Sequence, residues 1–271
     1  MALAGNSLLA RAGRIVLSST LVPRRGLSSK VKRAAAAAFK DDFSHHAEGI
    51  ARLNNGSFGA IPQPVLEAEA EARLKWRENP DSFYFGGALE KRIVEAEDAA
   101  ADVMGATRGS VALVENATVA TMTVARRWER ASKNDGLGSK ILCLGPVYKA
   151  SLFAMRYMFG PENVVVADKV GREWAAGGSI TEEEILSELE AALREHQPRY
   201  LLLEHLSSQP ALLFPVARMV ELARSHGCVD EILVDAAHAA GQVRRGVGSG
   251  ERGECARDGG RSSVKKPGRP S

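Results

Sequence analysis

The sequence between Glu231 and His238 reads EILVDAAH, a short aliphatic run that ends in an acid. Runs of this kind are typical of strands that are buried on both faces of a parallel sheet. An acid at the end of such a strand loses hydration, which costs free energy unless a cation, a metal ion or strong hydrogen-bond donors face it. We therefore expect Asp235 to have such a partner. Magnesium is disfavoured, because no second carboxylate is expected nearby to share it.

Similar runs occur upstream, and helical patterns separate them. The strand-like segments are Ser110–Val114, Lys140–Leu144, Asn163–Ala167, Tyr200–Leu206 and Glu231–Asp235. The helical segments are Pro64–Arg77, Ala88–Met104, Ala117–Arg130, Tyr148–Phe159, Thr181–His196 and Val216–His226. Strands that alternate with helices predict right-handed βαβ units, and hence an α/β fold with a doubly wound, mostly parallel sheet.

The first forty residues of this 271-residue chain differ in composition from the rest. They hold eight lysines and arginines and no acid, together with many Ala, Ser and Leu residues. This composition predicts an organelle transit peptide, which has to be basic and unfolded for import. We favour the mitochondrion because of the Arg-Arg-Gly-Leu-Ser stretch at residues 24–28, with the plastid and a disordered cytosolic extension as alternatives.

The last 28 residues, 244–271, change character again. They carry eight basic and three acidic residues, and two valines are their only larger aliphatic side chains. Such a segment cannot bury enough apolar surface to offset its ordering entropy, so we expect a disordered tail. An out-of-frame or intron-derived origin of this tail is the interpretation that we favour.

Composition also disfavours several classes of protein. Residues 41–243 hold 20 basic and 30 acidic residues, and this acidic body offers no clustered basic face for nucleic acid. No apolar run approaches the roughly 20 residues that cross a bilayer. The three cysteines Cys143, Cys228 and Cys255 form no CxxC pair, so neither a disulfide framework nor a zinc site is indicated. Cys143 is expected in the core.

Three further points could bind a ligand, because ligands in open α/β sheets bind beyond the carboxyl ends of the strands. Residues 115–118 read ENAT and open a helix, where an anion is favoured, although an Asn or Thr before a helix is usually a simple N-cap. Tyr148 follows a strand and could stack on a planar cofactor or pack against the core. Residues 204–210 form a polar cluster that suits a ligand or a capped turn. Neither a GxGxxG nor a P-loop pattern is present, which argues against a nucleotide enzyme.

These motifs, in this order and spacing, resemble the class V aminotransferase family of fold-type I pyridoxal-phosphate enzymes. Within it, the isopenicillin N epimerase-like and plant-type cysteine desulfhydrase-like members are the most similar. The resemblance covers about Asp42 to Val243. It is carried by residues 53–59 (LNNGSFG) with Pro62 and Val65, by residues 115–118, Tyr148, residues 207–210 (SSQP) with Pro215, and by residues 234–238 (VDAAH) with 241–243 (GQV).

The resemblance implies a role for each matching residue. The cofactor phosphate would lie at Asn116, Ala117 and Thr118, and the pyridine ring would stack on Tyr148. Asp235 would pair with the ring nitrogen. The remaining implied contacts are Ser208 near the ring hydroxyl, His238 beside the ring, and Asn54, Asn55 and Gly56 along the substrate pocket.

The resemblance also implies an activity and a domain division. A cysteine desulfhydrase-like lyase converts L-cysteine into pyruvate, sulfide and ammonia, and the full-length protein is expected to be a homodimer. The expected division is a transit peptide or disordered segment over 1–40, an arm with the first helix over 41–85, an incomplete pyridoxal-phosphate-binding large domain over 86–243, and an unrelated tail over 244–271.

This chain departs from the family pattern at the Schiff-base lysine. The resemblance implies that lysine some 20 to 30 residues after Asp235, preceded by a histidine. Lys265 and Lys266 fall near that distance but follow Ser-Ser-Val, in a segment without a strand. We therefore assign no catalytic residue and expect an inactive chain. The alternatives left open are a non-catalytic isoform that binds the cofactor or pairs with a full-length subunit, and an epimerase or aminotransferase.

Overall fold

The computed structural model describes residues 42–240 and 242–243. The predictions for residues 1–40 and 244–271, including those on Cys255, Lys265 and Lys266, lie outside the described residues.

Four parallel strands form the sheet of the described chain. They are β1 (Ile141–Leu144), β2 (Val164–Ala167), β3 (Tyr200–Glu204) and β4 (Glu231–Asp235), in the order β2-β1-β3-β4. Each lies within the segment predicted for it or matches that segment. The predicted α/β class with a parallel sheet is confirmed.

Helices connect the strands and precede the sheet. They are α1 (Asn55–Phe58), α2 (Gln63–Glu78), α3 (Pro80–Phe85), α4 (Ala88–Met104), α5 (Ala117–Asp135), α6 (Lys149–Phe159), α7 (Lys169–Ala175), α8 (Glu182–His196) and α9 (Val216–His226), with a 3-10 turn at Pro161–Asn163. All six predicted helices are present. The pattern missed the short helices α1, α3 and α7, and α5 runs five residues beyond its predicted end.

The boundaries of the long helices follow from their capping residues. The Thr181 hydroxyl accepts the Glu184 N–H at the start of α8, and the Glu184 carboxylate accepts the Thr181 N–H in return. Gly105 and Gly136 end α4 and α5 in the left-handed conformation, which glycine adopts without steric cost.

The strand predicted at Ser110–Val114 is wrong. This segment has no strand partner among the described residues, and Leu113 and Val114 remain about half exposed. Its backbone is instead held locally, because the Leu113 N–H donates to the Glu97 carboxylate of α4. An aliphatic run becomes a strand only where a neighbouring strand offers hydrogen bonds, and the described sheet supplies none here.

Side chains from the two faces of the sheet enter two separate cores. Leu142 and Leu201 point to the core that α8 and α9 cover. Cys143 and Leu202 point to the opposite core, which α5 and α6 cover, and where the rings of Trp128 and Tyr200 stack at 4.7 Å. Helices therefore cover both faces, as expected for a doubly wound sheet.

Two expectations about cysteine and membranes can be compared with this fold. Cys143 is buried as predicted, and burial raises the pKa of its thiol to about 12, which makes it unreactive.

None of the helices in the described part of the chain combines the length and apolar character that crossing a bilayer requires.

Candidate functional site

The strand order places a crevice at the carboxyl ends of β1 and β3. After β1 the chain turns to β2 on one side, whereas β3 and β4 lie on the other side. Connections diverge at such a switch point and leave room for a ligand beyond the strand ends. Residues 145–148 follow β1 there, Glu204 ends β3, and Asp235 ends β4.

The turn after β1 is fixed by Gly145. Its φ of +83° lies in the region that favours glycine, and a Cβ at this position would lie 2.6 Å from the Phe214 ring. The Gly145 N–H donates to the Ala167 carbonyl at 2.7 Å. This turn positions Tyr148 as the residue that precedes α6, with its ring about half exposed.

Glu204 is a buried acid at the centre of the crevice. Only 3% of its surface is exposed, and its Oε1 accepts the backbone N–H of Tyr148 at 2.8 Å. In the register of β3 and β4 it lies directly beside Asp235. Burial raises the pKa of Glu204 to about 7, the Asp235 carboxylate adds to this rise, and the Tyr148 N–H opposes it.

Asp235 is half-buried, and protein donors surround it. Its Oδ1 accepts the Ala237 N–H at 3.1 Å, and the hydroxyl of the buried Ser151 lies 3.4 Å from its Oδ2. The second distance is long for a hydroxyl donor, so Oδ2 keeps capacity for a stronger one. Asp235 thus has two hydrogen-bond contacts within the described chain, and the stronger partner that we expect for it stays a prediction.

The argument against magnesium needs a correction. We expected no second carboxylate near Asp235, but the strand register brings Glu204 beside it. The two residues are 31 positions apart in sequence, so only the fold reveals the pair. No group of three or more potential metal ligands occurs among the described residues, so a metal site has no further support.

His238 lies beside the loop predicted to border the substrate pocket. It belongs to the turn after β4, which the hydrogen bond from the Ala239 N–H to the Ala236 carbonyl closes at 2.9 Å. A Cβ on Gly56 would lie 3.9 Å from the Nδ1 atom of His238, which is ordinary contact distance. Asn54 and Asn55 of the same loop are exposed. The fold thus brings together two predicted parts of the site that lie more than 180 residues apart.

The N-terminus of α5 lies at the same end of the sheet as Asp235, because Asp135 at the opposite end of α5 pairs with Arg199, which precedes β3. The Trp128 Nε1–H donates to the Glu231 carboxylate at 3.0 Å, which fixes the middle of α5 to the start of β4. Ala117 lies roughly 16 Å from Trp128 along the helix, and Asp235 lies roughly 13 Å from Glu231 along the strand, in the same direction. Asn116 accepts the Val119 N–H as a side-chain N-cap. No acceptor within the described chain is recorded for the N–H groups of Ala117 and Thr118, so they can bind an anion.

The polar cluster after β3 is mainly a capped turn. The hydroxyl of the buried Ser207 donates to the Pro210 carbonyl at 2.6 Å and accepts the Leu212 N–H at 3.1 Å. Ser208 is exposed, and no hydrogen bond of its hydroxyl is recorded within residues 42–240. The position of Ser208 therefore adds no support to its expected contact with a ring hydroxyl.

Two residues of the crevice were missed in the sequence. Glu204 closes the apolar run YLLLE, the same signal that singled out Asp235, but it was considered only as part of a polar cluster. Ser151 lies three positions after Tyr148, in the first turn of α6. Serine in a helix is an ordinary residue, so no local signal separates this one from the others.

The donor set of the crevice fits pyridoxal phosphate. Free N–H groups at the α5 N-terminus suit the phosphate, and the Asp235 Oδ2 suits the protonated ring nitrogen, which is a strong donor. No lysine is among the recorded hydrogen-bond or ion-pair partners of Glu204 or Asp235 within the described chain.

Comparison with known proteins identifies the family. The family model described as aminotransferase class-V matches residues 53–247. The chain is 32% identical over 214 residues to the L-cysteine desulfhydrase of Arabidopsis thaliana, which covers 75% of this chain and 45% of the relative. It is 33% identical over 227 residues to the putative L-cysteine desulfhydrase 2 of Oryza sativa subsp. japonica, covering 78% and 46%.

A third relative is named for an organelle. It is the probable L-cysteine desulfhydrase, chloroplastic, of Arabidopsis thaliana, 28% identical over 227 residues, which cover 77% of this chain and 44% of the relative. The chain spans less than half the length of each of these three relatives.

Proposed function

Because the chain belongs to the class V aminotransferase family, we propose that it forms the cofactor-binding part of a pyridoxal-phosphate-dependent, L-cysteine desulfhydrase-like lyase. The observation that carries this proposal is the placement of Asp235 at the strand ends, with an oxygen available to a strong donor. The names of the relatives support L-cysteine as the substrate, and the family resemblance implies pyruvate, sulfide and ammonia as the products.

In this proposal each end of the cofactor has its own protein partner. Ala117 and Thr118 bind the phosphate through backbone N–H groups, and the Thr118 hydroxyl adds a donor. The Asp235 carboxylate accepts the ring N–H and stabilises its positive charge. When bound, pyridoxal phosphate supplies an electron sink for bond breaking at the substrate Cα. Tyr148 covers one face of the ring and keeps water from it.

His238 and the Asn54–Gly56 loop form the substrate side of the proposed site. The closeness of Gly56 to the His238 ring supports a shared pocket wall. The two asparagine amides offer donors and acceptors for an amino-acid substrate, and His238 contributes a polar group beside the ring. Ser208 is retained as a weaker part of the proposal, because only the family resemblance points to it.

We propose that the chain by itself binds the cofactor without turning over cysteine. The described residues offer no lysine partner at Asp235, and without one the proton at Cα has no obvious acceptor. L-cysteine added to the 271-residue chain with pyridoxal phosphate is expected to release no sulfide above the level of the free cofactor. Sulfide release well above that level would contradict this part of the proposal.

The cofactor site itself is tested by binding. Pyridoxal phosphate added to the 271-residue chain is expected to quench tryptophan fluorescence with saturation. Asp235→Asn, which removes the charge and keeps the shape, should weaken binding at least about tenfold. Glu221→Gln, on the exposed surface of α9, makes the same change in charge elsewhere and should bind like the unmodified chain. Equal affinities for all three chains would refute the site.

Borohydride reduction distinguishes this chain from a covalently loaded enzyme. After reduction and dialysis, the chain is expected to retain no cofactor label, because borohydride fixes only a cofactor that is joined to an amine. A label that survives on a unique peptide would identify a lysine that forms the Schiff base and would contradict this expectation.

We further propose that residues 1–40 direct the protein to an organelle. Their basic, acid-free composition and the chloroplastic designation of one relative support import, and the Arg-Arg-Gly-Leu-Ser stretch favours the mitochondrion over the plastid. A fluorescent protein fused after residue 40 is expected to enter mitochondria. Entry into plastids would correct the destination, and a cytosolic signal would reject import.

A further inference from the structure

Two acids on neighbouring strands contact the first turn of α6. Glu204 at the end of β3 accepts the Tyr148 N–H at 2.8 Å, and Asp235 at the end of β4 faces the Ser151 hydroxyl at 3.4 Å. Tyr148 precedes α6, and Ser151 is the third residue of that helix. The start of α6 is therefore connected to both strands through side chains that lie next to each other in the sheet.

We propose that Glu204 is a positioning residue of the cofactor site: through its bond to the Tyr148 N–H it holds the start of α6 against the strand ends, so that Tyr148 and Asp235 keep the spacing that pyridoxal phosphate requires. This inference rests on the proposed function. It adds to the site a residue that touches no part of the cofactor.

The geometry explains why a carboxyl group serves this purpose. The N–H of the residue before a helix has no partner within the helix, and the Glu204 Oε1 satisfies it inside a nearly dry site. Strand β3 ends at Glu204, so a side chain of this length is needed to reach across to the turn after β1. The bond thus joins the two chain segments that diverge at the crevice.

The protonation of Glu204 supports this role. Burial and the neighbouring Asp235 raise its pKa to about 7, so a large share of the molecules carry a proton here at neutral pH. A neutral Glu204 still accepts the Tyr148 N–H through its carbonyl oxygen.

A purely structural explanation makes a different prediction. If Glu204 only filled space in the core, an apolar side chain of similar size would be tolerated or would stabilise the fold, because it removes a buried ionisable group. Cofactor affinity would then be unchanged. Stability and cofactor binding therefore have to be measured separately.

The test compares variants of the 271-residue chain by pyridoxal-phosphate affinity and by melting temperature. Glu204→Leu should weaken binding at least about fivefold, since it removes the acceptor of the Tyr148 N–H, and it should lower the melting temperature for the same reason. Glu204→Gln keeps an acceptor oxygen and should bind within about threefold of the unmodified chain. This rescue by the amide would not follow from a structural role alone.

Glu188 provides a matched control. Its carboxylate accepts the N–H groups of Lys169 and Val170 at the start of α7, at 2.6 and 2.8 Å, which is the same kind of contact beside edge strand β2. Glu188→Leu should lower the melting temperature and leave pyridoxal-phosphate affinity unchanged. A loss of affinity as large as that of Glu204→Leu would overturn the assignment to Glu204.

The other outcomes are also decisive. If Glu204→Leu binds pyridoxal phosphate like the unmodified chain, the inference fails and the proposed function stands. If Glu204→Leu does not fold, Glu204→Asp replaces it: the shorter side chain cannot reach the Tyr148 N–H, and unchanged affinity would again reject the inference. If the unmodified chain binds no pyridoxal phosphate while remaining folded, the proposed function fails and the inference fails with it.

Discussion

At the scale of single residues, Glu204 and Asp235 occupy the same position in the sequence pattern but differ in burial. Each is an acid at the end of an aliphatic strand. Glu204 lies in an interior strand and is almost fully buried, whereas Asp235 lies in the edge strand β4 and is half-buried. The more exposed acid has one short and one long contact and so keeps capacity for a further donor, whereas the more buried one accepts the Tyr148 N–H.

The raised pKa of Glu204 predicts a pH-dependent stability. The folded chain binds the proton more tightly than the unfolded chain, whose glutamate pKa is about 4.5. Glu204 therefore makes its full contribution below about pH 4.5, and this is lost as pH rises through about 7. Between about pH 4.5 and pH 8, the free energy of unfolding should fall by ~3 kcal/mol relative to that of Glu204→Gln. Denaturant titrations at several pH values measure this difference, and parallel profiles would contradict it.

At the scale of elements, the turn between β1 and α6 requires glycine at position 145 for two reasons. Gly145 combines a positive φ with the close approach of the buried Phe214 ring. The ring belongs to the segment before α9, so this contact joins the turn after β1 to the loop after β3. The two walls of the crevice are thereby held by apolar packing as well as by the Glu204 hydrogen bond.

Gly145→Ala is expected to destabilise the chain more than Gly136→Ala. Both glycines have positive φ, but a Cβ on Gly136 meets nothing within 4 Å, whereas one on Gly145 would clash with Phe214. Gly136→Ala should cost about 1 kcal/mol of backbone strain. Gly145→Ala should cost about 1–3 kcal/mol more from overpacking. Equal unfolding free energies for the two variants would show that Phe214 moves aside freely.

At the scale of the whole molecule, much apolar surface is left uncovered. Leu113 and Val114 are about half exposed, Leu53 and Phe85 are almost fully exposed, and the outer edge of β4 has no partner among the described residues. Arm helix α2 contains no buried residue. Exposed apolar patches and free strand edges favour association with another chain.

We therefore expect residues 41–271, expressed alone, to associate or to be poorly soluble. Light scattering coupled to size-exclusion chromatography should report species larger than a monomer, and their share should grow with concentration. Replacing Leu113 and Val114 with serine should reduce this association, because it removes exposed apolar surface. A monomer that melts in a single cooperative transition would contradict the expectation.

The local sequence pattern was sufficient to predict the long helices, four of the five predicted strands and the α/β class. Capping residues and apolar periodicity act over a few positions, so a short stretch of sequence contains them. The same pattern predicts Asp235 as a ligand contact, and that contact stays a prediction. The pattern failed at Ser110–Val114, where an aliphatic run lacks a neighbouring strand, and for the short helices α1, α3 and α7, which are too brief to show a period.

Three pairs of neighbouring residues in the fold are far apart in sequence. Glu204 and Asp235 are 31 positions apart, Gly56 and His238 are 182, and Gly145 and Phe214 are 69. These contacts depend on which strands become neighbours and in which register, and no short stretch of sequence carries that information. The sequence by itself determined the residue types at the strand ends, whereas the packing of the sheet decided which of those residues become neighbours.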